Sequence, residues 1–164
     1  MSIQFNADEI FEMALQIERN GAQFYQRAAE LQQDPHARST LLELAAMEED
    51  HERTFDDMRA ELTERERKEL TFDPEDELPL YLRAMADKNV FDTRVSAAER
   101  LTGRESVEDV LRTAIGLEKD SIVFYVGMRA MIPERLGAAR LDDIVKAEMG
   151  HIATLGDLIR CARP

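Results

Sequence analysis

Apolar residues recur along this chain at helical spacing in four stretches, and each stretch carries a glutamate near its centre. The first reads Phe11, Ala14, Glu18, Ala22, Tyr25, Ala29, and the second Leu41, Leu44, Glu48, His51, Phe55. The third reads Leu111, Ala114, Glu118, Ser121, Ile122, Tyr125, and the fourth Leu141, Ile144, Glu148, His151, Leu155. Steps of three and four residues, at about 100° each, set every one of these groups on a single helix face. The pattern predicts four amphipathic helices.

Their boundaries follow from local signals. Asn6 with Glu9 makes a capping box for a first helix running to about Leu31. Asp34 suits the cap and Pro35 the first turn of a second helix, which is predicted to run to near Leu70 with a charged end from Glu61 to Glu69 projecting into solvent. Ser106, with Asp109 three residues on, caps a third helix reaching about Met131, and a fourth runs from about Pro133 to Cys161. Between the second and third, Thr71 to Pro79 is acidic and contains two prolines, so it reads as a loop. Leu80 to Val90 predicts a short helix with Tyr81, Leu82 and Met85 inward, and Gly103 suits the end of a short helical piece.

The glutamates obey the turns. If the first two helices fold back as a hairpin about position 33, Glu18 and Glu48 stand level; about Pro133, Glu118 and Glu148 do the same. Two hairpins joined by a connection far longer than a tight turn make a four-helix bundle with one long crossover. The expected fold is all-α.

Charge inside an apolar stripe needs a reason. Glu48 and His51 share a face with Leu41, Leu44 and Phe55, where an unpaired carboxylate is costly or loses its charge to a pKa shift. A metal ion removes that cost. The same pair returns one hundred residues later as Glu148 and His151, among Leu141, Ile144 and Leu155. Glu18 and Glu118 share that offset, each followed after seven residues by a tyrosine, Tyr25 and Tyr125. A metal-free core would need inward basic partners for four glutamates, and the pattern provides none. Two divalent cations balance four carboxylates with neutral imidazoles, and oxygen and imidazole donors suit iron or manganese better than a soft metal.

Composition narrows the setting. The 164 residues, 44% hydrophobic and 34% charged, suit one domain spanning the chain. A net charge of −13 argues against nucleic acid or an anionic membrane as partner. Cys161 is the only cysteine, so the chain has no internal disulfide and no Cys-x-x-Cys module. No leader pattern or apolar run of membrane-spanning length is visible, and the expected compartment is the cytoplasm.

A Glu on each of two helices, with Glu-x-x-His on each of two others, resembles the di-metal carboxylate proteins of the ferritin-like superfamily, and most closely its rubrerythrin and bacterioferritin branches. The resemblance implies that Glu48 and Glu148 bridge two irons, that Glu18 and Glu118 are terminal ligands, and that His51 and His151 bind one iron each. Manganese, or zinc trapped during expression, would fit the same ligands. The resemblance further implies a di-iron oxidoreductase that reduces peroxide or oxidises ferrous iron with dioxygen. Tyr25 and Tyr125 are candidate contributors to that chemistry, although core packing is their simpler role. Rubrerythrins carry a further glutamate three residues after the third-helix ligand; here Ser121 stands there, and Gly21 occupies the matching place in the first helix. The six-ligand set is thus closer to the bacterioferritin pattern. Without a rubredoxin-type module, the expected electron donor is a separate protein, and the expected assembly is a homodimer or small homo-oligomer. The alternative is a non-catalytic iron-binding or storage protein. Glu43 and Asp143, also one hundred residues apart, are candidates to orient the imidazoles.

Overall fold

The computed structural model describes residues 5–69, 80–81, 97–136 and 138–162. Four long helices dominate them: Ala7–Leu31 (α1), Pro35–Ala60 (α2), Val107–Arg129 (α3) and Ala138–Ala162 (α4). Short 3-10 turns cover Ala97–Arg100 and Glu134–Leu136.

The starts are those the sequence signals. Asn6 accepts from the Glu9 amide while Glu9 reaches back to the Asn6 amide, and Ser106 and Asp109 repeat this box at α3. Asp34 accepts from Ala37 ahead of α2, with Pro35 in its first turn. Each cap satisfies amides that have no partner inside the helix.

Two boundaries differ from expectation. The α2 helix stops at Ala60 instead of continuing toward Leu70. Leu62 is drawn into the core, and Thr63 and Glu66 then exchange amide contacts that start a new turn. The charged end does not simply project into solvent. Glu61 pairs with Arg140, Glu66 with Arg135, and Arg67 with Asp8 at the start of α1. The fourth helix begins at Ala138, after Pro133 has led into the 3-10 turn rather than directly into α-helix.

Of the predicted short helix, Leu80 and Tyr81 are helical and Tyr81 is half-buried; the remainder, with Leu82 and Met85, and the loop of residues 71–79 lie outside the described residues. Tyr81 packs on α3 at Gly127, where an added Cβ would come within 3.3 Å of its ring. Gly103 follows the first 3-10 turn at φ +82°, the left-handed region that glycine enters without strain.

The topology comes from the pairings. α1 packs on α2 and α3, and α2 also packs on α4. Tyr25 reaches Glu118 while Tyr125 reaches Glu18, so α1 and α3 run in opposite directions. Hence α2 and α3 are parallel, and the chain between Ala60 and Val107 connects opposite ends of the bundle. This is the one-crossover four-helix bundle.

The interior is divided. One apolar cluster joins Phe11, Phe55, Phe124, Met128, Leu141 and Ile144; the other joins Phe24, Leu41, Leu44, Leu111, Leu155 and Leu158. Along every helix the central glutamate falls between them. Among the described residues, no helix is long and apolar enough to cross a membrane.

Candidate metal centre

Between the two apolar clusters lies a polar layer. Glu18 and Glu148 are fully buried, and Glu48, His51, Glu118 and His151 are at most 8% exposed. Each helix supplies its share because the 3,4 spacing that buries the flanking leucines and phenylalanines buries the glutamate between them. On α2 and α4 the histidine one turn on joins the same face.

These six side chains form two overlapping groups. Glu18, Glu48, His51 and Glu148 make one, and Glu48, Glu118, Glu148 and His151 the other; within each, one donor atom per residue lies within 4.8 Å of every other. Glu48 and Glu148 belong to both. The two oxygens of Glu148 face opposite halves: Oε1 is 2.9 Å from His51 Nδ1 and Oε2 is 3.0 Å from His151 Nδ1. His51 Nδ1 also lies 3.6 Å from Glu18 Oε2, and His151 Nδ1 lies 3.1 Å from Glu48 Oε1 and 3.3 Å from Glu118 Oε1. The two imidazole rings stack at 5.7 Å.

Proximity here is not hydrogen bonding. Glu18 Oε2, Glu48 Oε1, both oxygens of Glu148, and the Nδ1 atoms of His51 and His151 are buried without a hydrogen-bond partner. Such atoms are costly to bury. Donor atoms that share one ion at about 2.1 Å and right angles stand about 3 Å apart, which is the spacing seen. Orphaned oxygen and imidazole donors at that spacing, in two overlapping sets, fit a pair of divalent cations, and their chemistry suits iron or manganese.

The protonation of these groups tells the same story. Burial lifts the Glu18 carboxyl to about 8, reinforced by the charges of Glu148 and Glu118. Burial also lifts Glu118 to about 8, with Glu148 and Glu48 adding to it, and raises Glu48 well above the carboxylate range. For Glu148 the burial penalty is overcome by the imidazoles of His151 and His51, which hold it below the ordinary range. Burial disfavours the His151 imidazolium, yet the surrounding carboxylates of Glu118, Glu148 and Glu48 push it up to about 12. Without cations, protons supply the positive charge that the layer needs.

Two tyrosines complete the layer. The Tyr25 hydroxyl donates to Glu118 Oε1 and the Tyr125 hydroxyl to Glu18 Oε1. The sequence places each tyrosine two turns from the glutamate of its own helix. The structure gives each one the glutamate of the opposite helix, and the signal that could have found this is the antiparallel register of α1 and α3.

Other sequence candidates fall elsewhere. Glu43 is exposed and accepts from Ser39, and Asp143 is exposed and pairs with Lys146, so neither orients an imidazole. Ser121 is buried but bonds back to the Leu117 carbonyl, while Gly21 leaves its space to Glu48, whose Oε2 would be 3.2 Å from an added Cβ. Cys161 is on the surface.

Comparison with known proteins bears on this arrangement. The family described as "Ferritin-like domain" matches residues 6–160. A crystal structure from Thermotoga maritima, described as that of a ferritin-like diiron-carboxylate protein, superposes with a TM-score of 0.76 at 22% identity, covering 96% of each chain. No curated protein matches.

Proposed function

Because this chain belongs to the ferritin-like domain family, we propose that it is a rubrerythrin-like di-iron oxidoreductase, reducing peroxide or oxidising ferrous iron with dioxygen at its Glu/His layer. The observation that carries this reading is the sharing of Glu48 and Glu148 between two otherwise separate donor groups. Shared carboxylates put two cations side by side, and a redox pair needs that adjacency.

In this reading Glu48 and Glu148 would be shared by both ions, Glu18 and His51 would complete one position, and Glu118 and His151 the other. A ferrous pair held there supplies the two electrons that peroxide or dioxygen takes up. The protein's own work is positional and electrostatic. Tyr25 and Tyr125 each pin Oε1 of a terminal carboxylate, which fixes the direction of the second oxygen. The phenylalanine and leucine clusters on both sides keep bulk water from the layer. Glu18, Glu48 and Glu118, whose carboxyls are raised by burial, would release their protons on binding cations. In this reading the electrons that return the site to the ferrous state are delivered by an electron-donor protein.

Anaerobic titration with ferrous iron is expected to reach about two ions per chain. Peroxide or dioxygen should then oxidise that iron much faster than the same iron in buffer. Bound iron that reacts no faster than free iron would overturn the enzymatic reading and leave an iron-binding protein.

A further inference from the structure

The two hairpins match at an offset of one hundred residues in their interior but not on their outer seams. Inside, Glu18, Tyr25, Glu48 and His51 correspond to Glu118, Tyr125, Glu148 and His151 in matching positions. Outside, the α1–α2 seam is polar: Arg19 pairs with Glu52, Gln26 bonds to Glu49, and Gln23 and Asp56 line the same shallow cleft. The corresponding α3–α4 residues are Lys119, Ile152, Val126, Met149, Val123 and Gly156. Val123, Val126 and Met149 are 54%, 59% and 55% exposed. One chain thus holds its own control: the same seam of the same bundle takes charged and amide side chains on one side, and on the other Val123, Val126, Met149 and Ile152 with Lys119 as the one charged member of the six.

We infer that the α3–α4 seam is the surface on which a second copy of this chain docks, in a two-fold symmetric dimer. Charge argues for that occupant. A chain of net charge −13 repels its own copies wherever carboxylates line the surface. The three acids of the α1–α2 seam, Glu49, Glu52 and Asp56, are replaced by Met149, Ile152 and Gly156, so this is a face on which two such chains can meet. The seam also has an interface's anatomy, an apolar centre with a charged rim. Arg129 pairs with Asp142 toward the turn, and Arg112 with Glu108 toward the other end. Area agrees. Helices of 23 and 25 residues give a strip about 35 Å long and about 20 Å wide, roughly 700 Å² per copy, against the roughly 800 Å² of a standard stable interface.

The test transfers the polar seam onto the apolar one. A Val123→Gln/Val126→Gln/Met149→Glu variant carries the side chains that the chain already tolerates at the equivalent places, so the fold should survive; circular dichroism and the number of manganous ions bound check this. Sedimentation equilibrium of the metal-loaded, full-length protein across the micromolar range is expected to give a dimer for the wild type. In the variant the dissociation constant should rise at least about tenfold, in keeping with the loss of central apolar contacts. A control, Gln26→Val on the α1–α2 seam, should leave the dimer constant unchanged. Should the triple variant misfold, the single Val126→Gln variant is read the same way, with a smaller rise expected. A wild type that stays monomeric, or a folded variant that dimerises as tightly as the wild type, overturns the proposal.

Discussion

At the scale of single residues, the four buried glutamates carry the proposed metal chemistry and also destabilise the metal-free fold. Glu48 is buried, and its carboxyl is raised by burial and by the neighbouring charges of Glu18 and Glu148. Glu48→Ala removes one repelling group and, in the proposed reading, one shared ligand together. The metal-free variant should melt as high as metal-free wild type or higher, yet gain less from ferrous or manganous ion. At free ion a hundredfold above its dissociation constant the wild-type gain is about 2.7 kcal/mol per site, and thermal melts with metal and with chelator measure it. An equal gain in both proteins would remove Glu48 from the site. The pH dependence follows from Glu18 and Glu118, which keep their protons in the folded chain up to about 8, against about 4.3 for an ordinary glutamate. Over that interval the folded state holds protons the unfolded chain has lost, so metal-free stability should fall as pH rises from about 5 to about 8. Glu118→Gln, which cannot titrate, should flatten the slope; an unchanged slope in chelator-treated melts would show that Glu118 does not carry it. The four glutamates and two histidines were legible as a set, because a charge recurring in an apolar stripe has few explanations. The pairing of Tyr25 with Glu118 and of Tyr125 with Glu18 was not, since it depends on which helices are neighbours.

At the scale of elements, short-range chemistry sets the helix starts and tertiary pull sets one end. Ser106→Ala removes the side-chain acceptor for the Asp109 amide and half of a capping box, so it should cost about 1 kcal/mol. Urea unfolding measures this, with metal binding unchanged because the cap is far from the polar layer. The starts at Asn6, Asp34 and Ser106 could be read directly because their partners lie three residues away. The end of α2 could not. Helical propensity favours continuing from Glu61 to Glu69, but Leu62 is buried and the partners Arg135, Arg140 and Asp8 all lie in segments distant along the chain.

At the scale of the whole molecule, the bundle is two apolar cores joined through a polar layer. Phe124 is buried in the core toward the α3–α4 turn, and its ring meets that of Tyr125 edge-on at 5.8 Å. Phe124→Ala should cost about 3–5 kcal/mol. It should also weaken metal binding, because Tyr125, which holds Glu18, loses a wall. Calorimetry gives the first quantity and manganese titration the second. A variant with full loss of stability and unchanged affinity would separate the core from the layer.

What the sequence by itself determined are properties written in spacing: four amphipathic helices, three of the caps, the six ligand candidates and the level placement of each glutamate pair. Each depends on residues a few positions apart or on reflection about a turn. Only the tertiary structure decided what depends on neighbours distant in the chain. It turned the two oxygens of Glu148 toward different imidazoles and gave each tyrosine the carboxylate of the other hairpin. It also placed Glu43 and Asp143 outside the site that their matching offset suggests. Periodicity fixes which face a side chain is on; which helix lies opposite that face is settled by the packing of the whole bundle.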